Sequence, residues 1–363
     1  MPKAIHQIVA GYSNGDAISN EARHLRDLFR SWGYESEIYC EAKRILPELR
    51  ADSRDVQAAR ETIRPDDIVL LHLSIGSMVN EVFASLPCRR ALLYHNVTPA
   101  EYFRGWQEEI VGSLRKGREQ VQRLAGAAEV NMAVSRYNAA ELEQAGYKDV
   151  RVLPLLLDRK LWDVPPSQRV LKSYAREDRI RVLFVGRCAP NKRIEDLLGC
   201  FYYLQKFVEP ESRLVHVGSF SGLERYYGLL RAKVAELRLQ NVVFAGSVRQ
   251  EELNAYFKLA DVFLCMSEHE GFCIPLLEAM HHGVPVLAYA AGAVPETLDG
   301  SGVLFTEKKF DAVAEMIARL ARDKALRDPI IKRQHERVEA YMKQDLAAEL
   351  KEALKPLMNT NLH

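Results

Sequence analysis

The fold is decided by the stretch Val262-Phe-Leu-Cys-Met-Ser-Glu-His-Glu-Gly-Phe-Cys-Ile-Pro-Leu-Leu-Glu-Ala-Met280. It begins with an apolar run, Val262 to Met266, continues through a polar turn, and ends in a helical pattern from Pro275 to His282. A proline at the start of a helix is favourable, because its missing N–H would have no helical partner there. The stretch therefore predicts a buried strand, a loop and a helix, which is the repeating unit of a doubly wound α/β sheet.

The same alternation of short apolar runs and helical patterns occurs along the whole chain. The predicted strands are Ala4–Ala10, Ser36–Tyr39, Ile68–Leu73, Ala91–His95, Val130–Val134, Val150–Leu155, Arg181–Val185, Leu214–Val217, Val242–Ala245, Val262–Met266 and Val284–Tyr289. Predicted helices include Ser19–Trp32, Ile194–Phe207, Gln250–Leu259 and Pro275–His282, and then Phe310–Leu357 with interruptions at Pro329 and Pro356. Strands that alternate with helices predict parallel sheets covered on both faces.

Length and a break in the pattern predict two domains. A single apolar core stops growing near about 250 to 300 residues, and this chain has 363. The alternation fails around Asp158–Asp178, which contains Pro165-Pro166 and is interpreted as a linker. We therefore predict Rossmann-like domains at 1–165 and 175–340, with a C-terminal helix, 341–363, that packs back on the first domain. Two such sheets predict a ligand cleft at the carboxyl ends of their strands.

Composition excludes several classes of protein. Lysine and arginine number 50 against 49 aspartate and glutamate, so the basic surplus of a nucleic-acid-binding protein is missing. No apolar run is long enough to span a bilayer, and the six cysteines show no metal-binding spacing, so we expect a cytoplasmic protein with reduced thiols. Attachment to the inner membrane surface through the basic stretch Ser113–Leu124 stays open as an alternative.

Two loops carry the residue types that phosphate chemistry requires. Glu270 lies in the turn before the Pro275 helix, Glu278 lies about one turn into that helix, and Gly271 permits close backbone approach. The unpaired N–H groups of the first helical turn suit a diphosphate. Gly186 ends an earlier strand, and Arg187 and Lys192 follow it. These two residues could supply fixed cations to a departing diphosphate without a metal.

The first half offers weaker signals. His95 follows a strand and is predicted to face the cleft, where it could hydrogen-bond a hydroxyl group or handle a proton. Gly15 and Asp16 open the first long helix, where backbone amides could meet the donor or the acceptor. There is no G-x-G-x-x-G after the first strand, because Gly11 to Gly15 has the wrong spacing, and this disfavours a dinucleotide cofactor.

Together these motifs resemble the retaining GT-B glycosyltransferases of family four, the glycosyl transferases group 1. Their hallmark is E-G-F-x-x-P-x-x-E-A, and Glu270 to Ala279 matches it. The resemblance implies that Glu270 contacts the donor sugar and that Glu278 binds the ribose. It also implies that Arg187 and Lys192 bind the diphosphate and that His95 lies near the donor sugar. The remaining donor contacts implied by position in the pattern are Gly15, Asp16, Gly186, Ser219, Val248, Gly271, Phe272, Cys273 and Ile274. Many members have glycine where this chain has Cys273.

The resemblance implies a retaining hexosyltransferase of polysaccharide biosynthesis that needs no metal and no cofactor beyond its GDP- or UDP-sugar. The acceptor would be a glycan, a lipid-linked sugar or a small molecule. Two alternatives stay open. The chain could be another GT-B enzyme, such as a sugar-nucleotide epimerase or hydrolase, or a non-catalytic subunit that binds sugar nucleotides. No residue is identifiable as a covalent nucleophile.

Overall fold

The computed structural model describes residues 4–174 and 179–358 and divides the chain into two compact units. The first unit comprises residues 1–101, 108–157 and 345–363, and the second comprises 102–107 and 158–344. Residues 175–178, within the predicted linker and at the start of the predicted second domain, lie outside the described residues. So do residues 1–3 and the last five residues of the predicted C-terminal helix.

A seven-stranded parallel sheet forms the centre of the first unit. Its strands are β1 (Ile5–Val9), β2 (Ile38–Cys40), β3 (Arg54–Asp55), β4 (Ile68–Leu73), β5 (Arg89–Tyr94), β6 (Val130–Ala133) and β7 (Arg151–Val152), in the order β3-β2-β1-β4-β5-β6-β7. Every residue of β1 and β4 is buried, as expected of parallel strands covered on both faces. The sequence pattern missed β3, because that strand has two exposed residues and no apolar run.

Six α-helices belong to the described part of the first unit. They are α1 (Ala17–Ser31), α2 (Ala59–Thr62), α3 (Met78–Ser85), α4 (Glu108–Arg123), α5 (Arg136–Gln144) and, at the far end of the chain, α15 (Leu346–Met358). Short 3₁₀ turns lie at Ala42–Arg44, Pro47–Asp52, Val56–Ala58 and Ala100–Phe103. The last of these turns ends in residues that belong to the second unit. The helix α15 packs on β5 and β6, and Arg89 donates a hydrogen bond to the backbone carbonyl of Leu357. The end of the chain is thus part of the first unit's fold.

A six-stranded parallel sheet forms the centre of the second unit. Its strands are β8 (Ile180–Val185), β9 (Ser212–Val217), β10 (Val242–Gly246), β11 (Val262–Cys265), β12 (Val286–Tyr289) and β13 (Val303–Phe305), in the order β10-β9-β8-β11-β12-β13. The strands β8 and β11 are neighbours at the point where the strand order reverses, so the loops that follow them leave the sheet side by side. Ligands of open α/β sheets bind at this kind of position.

The helices of the second unit cover this sheet. They are α6 (Arg159–Trp162), α7 (Gln168–Tyr174), α8 (Ile194–Tyr203), α9 (Glu224–Glu236), α10 (Gln250–Leu259), α11 (Ile274–His281), α12 (Val294–Leu298), α13 (Phe310–Arg322) and α14 (Lys324–Met342). The helix predicted at Ile194–Phe207 changes to a π-helical turn at Leu204–Val208. Two parallel sheets flanked by helices confirm the predicted GT-B fold class.

The prediction that Pro329 and Pro356 interrupt helices is wrong. Pro329 lies inside α14, which runs unbroken from Lys324 to Met342, and Pro356 lies inside α15, two residues before its described end. A proline in a helix removes one backbone hydrogen bond. In α14 the buried side chains of Gln334, Val338 and Tyr341 hold the helix against the unit, and this packing outweighs the loss.

Two further expectations can be compared with the structure. All six cysteines lie in the described part of the chain, and they are free and buried, as predicted. Among the described helices, none combines the length and the apolar character that crossing a bilayer would demand.

Candidate functional site

The loops after β8 and β9 are joined by backbone contacts at the carboxyl edge of the second sheet. The backbone N–H of Cys188 donates to the carbonyl of Ser219 at 2.8 Å, and that of Gly186 donates to Val217 at 2.9 Å. A Cβ atom on Gly218 would lie 1.9 Å from the carbonyl oxygen of Gly186, a distance that no side chain can occupy. Gly218 is therefore required for the close approach of these loops, and Gly186 and Ser219 lie together at this edge.

Lys192 and Glu270, predicted from separate motifs, form an ion pair. The Lys192 Nζ atom lies 2.6 Å from Oε2 of Glu270, and the side chains are 20% and 8% exposed. Lys192 ends the 3₁₀ turn Pro190–Lys192 after β8, and Glu270 lies in the loop after β11. Burial, the largest single effect, lowers the pKa of Lys192, but the charge and hydrogen bond of Glu270 together with the neighbouring Cys273 and Cys265 leave the net pKa raised. The lysine consequently stays cationic although its side chain is largely buried.

The backbone around Glu270 is held on two sides. The Asn191 side-chain amide donates to the carbonyl of His269 at 3.1 Å, and the N–H of Glu268 donates to the carbonyl of Asn191 at 2.9 Å. From the other side, the N–H of Ala293 donates to the carbonyl of Glu270, and a Cβ on Gly292 would come within 2.6 Å of that oxygen. The carboxylate of Glu270 is thus presented by a loop with little freedom to move.

Sequence reasoning missed a second set of charges beneath this loop. Lys308 Nζ lies 2.7 Å from carboxylate oxygens of both Asp196 and Glu268, and Arg193 approaches the same two acids at 3.2 and 3.3 Å. Lys308 also lies 4.6 Å from the centroid of the Tyr289 ring. These groups tie the β11 loop to the start of α8. Lys308 follows a short strand that the pattern did not reveal, so no local signal indicated it.

The residues that follow Glu270 fall into two groups. Phe272 is buried, with its ring 5.8 Å from that of Tyr341, and its carbonyl accepts a hydrogen bond from Thr297. Its side chain is therefore part of the core. Gly271 and Ile274 are half-buried at the start of α11, and in the described structure no side chain caps this helix. Pro275 has no N–H and that of Leu276 donates to the carbonyl of Cys273, so within the first three residues of α11 only the N–H of Ile274 is left for a ligand.

Cys273 and Glu278 are unusual in different ways. Cys273 precedes α11 with φ +77°, a left-handed conformation that costs about 1 kcal/mol or more for a residue other than glycine. This is the position where many members of the family that the motif resembles have glycine. Glu278 lies in the second turn of α11, and burial raises the pKa of its carboxyl group to about 7. Near neutral pH the carboxyl group of Glu278 is thus partly protonated and partly ionised.

Arg187 and Val248 do not join the Lys192–Glu270 pair. The exposed Arg187 guanidinium donates a hydrogen bond to the carbonyl of Ser221 at 3.2 Å, in the loop after β9. Val248 is half-buried two residues beyond β10, at the outer edge of the sheet. Arg187 nevertheless follows β8 directly, so it flanks the same carboxyl edge as Lys192.

Gly15, Asp16 and His95 belong to the first unit. The carboxylate of Asp16 caps α1 by accepting hydrogen bonds from the N–H and the hydroxyl group of Ser19, both at 2.8 Å. Gly15 has φ +72°, the left-handed conformation that a turn before a helix needs. The cap places a negative charge at the N-terminus of α1, which disfavours a phosphate there.

His95 lies in a buried polar cluster with His72 and Glu21. The Nε2 atom of His95 is 2.9 Å from Nδ1 of His72 and 3.6 Å from a carboxyl oxygen of Glu21. Burial lowers the pKa of His72 to about 3 and holds the pKa of His95 well below its ordinary value. Burial also raises the pKa of Glu21 to about 8, against a smaller lowering by the backbone of Leu156. The cluster is therefore uncharged at neutral pH.

Two groups in the described chain bring possible metal ligands within 4.8 Å of one another: Glu21, His72 and His95 in the first unit, and Cys265, Glu270 and Cys273 in the second. In the first group the two histidines already share a hydrogen bond. In the second, Glu270 is paired with Lys192. In each group, therefore, at least one of the possible ligands already has a protein partner.

The basic stretch considered for membrane attachment lies on α4, and two of its cations are paired. Lys116 lies 2.8 Å from a carboxylate oxygen of Glu81, and Arg118 pairs with Glu141. These pairs reduce the positive charge that α4 could offer to an anionic surface. Membrane attachment stays a prediction.

Comparison with known families identifies a match that lies in the second unit. The family described as Glycosyl transferases group 1 matches residues 169–337. A region of 220 residues is 31% identical to the GDP-mannose-dependent alpha-(1-6)-phosphatidylinositol monomannoside mannosyltransferase of Mycolicibacterium smegmatis, over 57% of this chain and 56% of that protein. A region of 147 residues is 34% identical to the GDP-mannose:cellobiosyl-diphosphopolyprenol alpha-mannosyltransferase of Xanthomonas oryzae, over 39% of this chain and 37% of that protein. The matches thus span little more than half of these relatives at most.

Solved structures resemble the chain over nearly its whole length. Sucrose-phosphate synthase from Thermosynechococcus elongatus superposes with a TM-score of 0.74 at 19% identity, covering 98% of this chain and 99% of that one. HepE from Anabaena, in complex with UDP and glucose, gives 0.73 at 18% identity, covering 97% and 100%. At these identities the likeness establishes the fold and leaves the chemistry to be argued from the site.

Proposed function

Because residues 169–337 form a Glycosyl transferases group 1 domain, we propose that this protein is a glycosyltransferase that uses a nucleoside diphosphate sugar. The observation that carries the proposal is the Lys192–Glu270 ion pair at the carboxyl edge of the second sheet. It joins a cation suited to phosphate with a carboxylate suited to sugar hydroxyl groups. The two residues come from motifs 78 positions apart.

The diphosphate is proposed to bind between the loop after β8 and the start of α11. Lys192 is held cationic by Glu270, and the guanidinium of Arg187 is exposed at the same edge. The first turn of α11, which has no side-chain cap, adds the N–H of Ile274 and the positive end of a helix dipole. Fixed positive groups of this kind stabilise the charge that develops on a leaving diphosphate, and the proposed reaction therefore needs no divalent metal.

The sugar is proposed to lie against Glu270. When the bond between the anomeric carbon and the diphosphate oxygen breaks, its electron pair stays on the diphosphate, next to Lys192 and Arg187. The acceptor hydroxyl oxygen forms the new bond to the anomeric carbon and gives its proton to the departing diphosphate. We propose that attack occurs on the face that the diphosphate leaves, so that the configuration is retained. Glu278, with its raised pKa, is proposed to bind the ribose.

The donor sugar is proposed to be a hexose, with GDP-mannose as the first candidate. Two of the similar proteins carry GDP-mannose in their names, one together with a phosphatidylinositol mannoside and one together with a diphosphopolyprenol. These names support a lipid-linked or glycan acceptor. UDP-sugars remain the second candidate, because HepE was solved with UDP and glucose.

A binding experiment tests the donor site without any knowledge of the acceptor. Thermal unfolding is measured with GDP, UDP and ADP, followed by GDP-mannose and UDP-glucose. One nucleoside diphosphate is expected to raise the melting temperature, and its binding should weaken about tenfold or more in Arg187→Ala, because a charged hydrogen bond contributes about 1.5 to 3 kcal/mol. Arg319→Ala, on the exposed face of α13, is the matched control and should bind as the wild type does.

Turnover then separates the possible activities. Release of nucleoside diphosphate that depends on added acceptor extract supports transfer. Release without any acceptor would indicate a hydrolase, and conversion of the donor into an epimeric sugar nucleotide without release would indicate an epimerase. Tight binding without turnover under any acceptor would indicate a binding subunit. Failure of all five ligands to shift the melting temperature would contradict the proposed function.

A further inference from the structure

A chain of hydrogen bonds crosses the first unit from a backbone carbonyl to His95. The side-chain amide of Gln7 donates from Nε2 to the carbonyl of Ala22 at 2.9 Å. A carbonyl can only accept, so the amide orientation of Gln7 is fixed and its Oε1 atom points the other way. That Oε1 lies 2.9 Å from Nε2 of His72. Gln7 and His72 are both completely buried, so water cannot replace either bond.

The orientation of Gln7 determines which nitrogen of His72 carries the proton. Because Oε1 of Gln7 is an acceptor, Nε2 of His72 must be the N–H donor. Burial keeps this imidazole neutral at physiological pH, so its other nitrogen, Nδ1, has a lone pair and no proton. Nδ1 of His72 lies 2.9 Å from Nε2 of His95. It can only accept there, and Nε2 of His95 must donate.

The same reasoning then fixes His95. With its proton on Nε2 and the ring kept neutral by burial, its Nδ1 atom is an unprotonated acceptor. The two rings lie nearly parallel, with centroids 5.1 Å apart, which limits rotation of His95 about its side chain. Glu21 is the acidic group next to the pair, at 3.6 Å from Nε2 of His95, and burial raises its pKa to about 8. A neutral Glu21 does not draw a second proton onto His95.

We propose that Gln7 and His72 are positioning residues that hold His95 in the Nε2–H tautomer, so that its Nδ1 accepts a hydrogen bond from a substrate hydroxyl group. This inference rests on the proposed function, because it assumes that His95 acts on the sugar or the acceptor. It limits the ligand groups that can bind Nδ1 of His95 to those that donate a hydrogen bond. A hydroxyl group can donate to a lone pair, whereas a phosphate oxygen at neutral pH has no proton to give. His95 therefore recognises hydroxyl groups and does not bind the diphosphate.

The tautomer can be measured directly in the full-length protein. Nitrogen-15 labelling of histidine and long-range proton–nitrogen NMR distinguish protonated from unprotonated ring nitrogens. His95→Gln identifies the His95 signals by their loss. At pH 7 we expect a protonated Nε2 and an unprotonated Nδ1 for His95, and the same for His72. A protonated Nδ1 on His95, or an imidazolium, would overturn the proposal whether or not the protein transfers sugars.

Variants of Gln7 connect the tautomer to function. Gln7→Leu removes the acceptor for His72, so we expect a mixture of His95 tautomers and a fall in kcat of about tenfold, the loss of one hydrogen bond in the transition state. Gln7→Glu keeps an acceptor oxygen at the same place and should retain both the single tautomer and most of kcat. His6→Gln, at the neighbouring buried residue of β1, is the control and should change neither.

The outcomes separate this inference from the proposed function. A single Nε2–H tautomer in the wild type that Gln7→Leu leaves unchanged would show that the relay does not set the tautomer. A mixed tautomer in Gln7→Leu with unchanged kcat would show that His95 is not an acceptor for the substrate. If donor binding itself is not detected, the proposed function fails while the NMR result still decides the relay.

Discussion

The two units each bury a polar cluster at the carboxyl end of a central strand, but the clusters differ in charge. In the second unit Lys192 and Glu270 form an ion pair, and the carboxylate raises the pKa of the lysine. In the first unit His72, His95 and Glu21 lie as close together, yet burial keeps all three neutral. A paired cluster keeps its charges for a phosphate, whereas a neutral cluster offers directed hydrogen bonds. Burial can therefore preserve charge or remove it, depending on whether a counter-ion is supplied.

Removing the carboxylate of the charged cluster is expected to have the largest effect. Glu270→Gln keeps the side-chain shape but leaves Lys192 without its counter-ion and the sugar without its acceptor. We expect kcat for transfer to fall about 10²- to 10³-fold, as when one stabilising group of an active site is lost. Initial rates of nucleoside diphosphate release measure it, with Glu315→Gln on α13 as an exposed control. A rate within threefold of wild type would remove Glu270 from the mechanism.

Removing the cation tests the same pair through stability. Lys192→Met leaves the carboxylate of Glu270 buried without a partner, and we expect a loss of about 3 kcal/mol in the free energy of unfolding. The double variant Lys192→Met/Glu270→Gln has no such charge and should recover part of that loss. Chemical denaturation of the four proteins in the cycle measures the coupling. If Lys192→Met and the double variant were equally stable, Lys192 and Glu270 would not form an ion pair in solution.

In the neutral cluster we expect the opposite effect on stability. Replacing its acidic residue, Glu21, should increase stability relative to the wild type as the pH rises, whereas breaking the Lys192–Glu270 pair should lower stability. The folded pKa of Glu21 is about 8, above its unfolded value of 4.5, so its contribution to stability is present at acid pH and is lost as pH rises through 8. Glu21→Gln cannot ionise. We expect its stability relative to wild type to increase by about 2 to 4 kcal/mol between pH 5 and pH 8.5.

Denaturation curves of wild type and Glu21→Gln across this pH range provide the measurement. All other titrating groups are common to both proteins, so only Glu21 contributes to the difference. A difference that stays constant with pH would contradict a neutral Glu21 and would make the two clusters alike in charge.

The smallest effect is expected from the charges that support the Glu270 loop. Lys308→Met removes contacts to Asp196 and Glu268 that are partly exposed to water, so we expect a loss of about 1 kcal/mol or less in stability. Because Glu268 then loses its anchor, kcat should fall two- to fivefold with little change in KM. An unchanged kcat would show that Asn191 and Gly292 suffice to hold the loop.

Local sequence patterns could predict the second unit in detail and the first unit only in outline. Strands such as β11 and β12 are continuous apolar runs, and Lys192 and Glu270 lie in loops directly after strands, where function was to be expected. Their pairing depends on β8 and β11 being neighbours in the sheet, and this strand order is known only from the structure. No local pattern could reveal Lys308, which reaches Glu268 across 40 residues.

The first unit shows why side-chain roles are harder to predict than positions. His95 was expected beside a ligand, but the sequence gives no indication of its hydrogen bond to His72, 23 residues away, or of the bond from His72 to Gln7, 65 residues away. Asp16 was expected at a donor site, and it caps a helix. Roles of this kind depend on tertiary contacts that no window of sequence contains.

Each unit is built from discontinuous stretches of the chain, and this limits how the two units can be separated. Residues 102–107 belong to the second unit, where Trp106 packs on Tyr226 at 5.4 Å, although they are flanked by residues of the first. The helix α15 belongs to the first unit, although it follows the whole of the second. A cut at residue 157 would therefore strip each unit of a packed segment. Exchanging donor specificity with a related enzyme would require grafting several discontinuous pieces, since a single crossover would leave both halves incomplete.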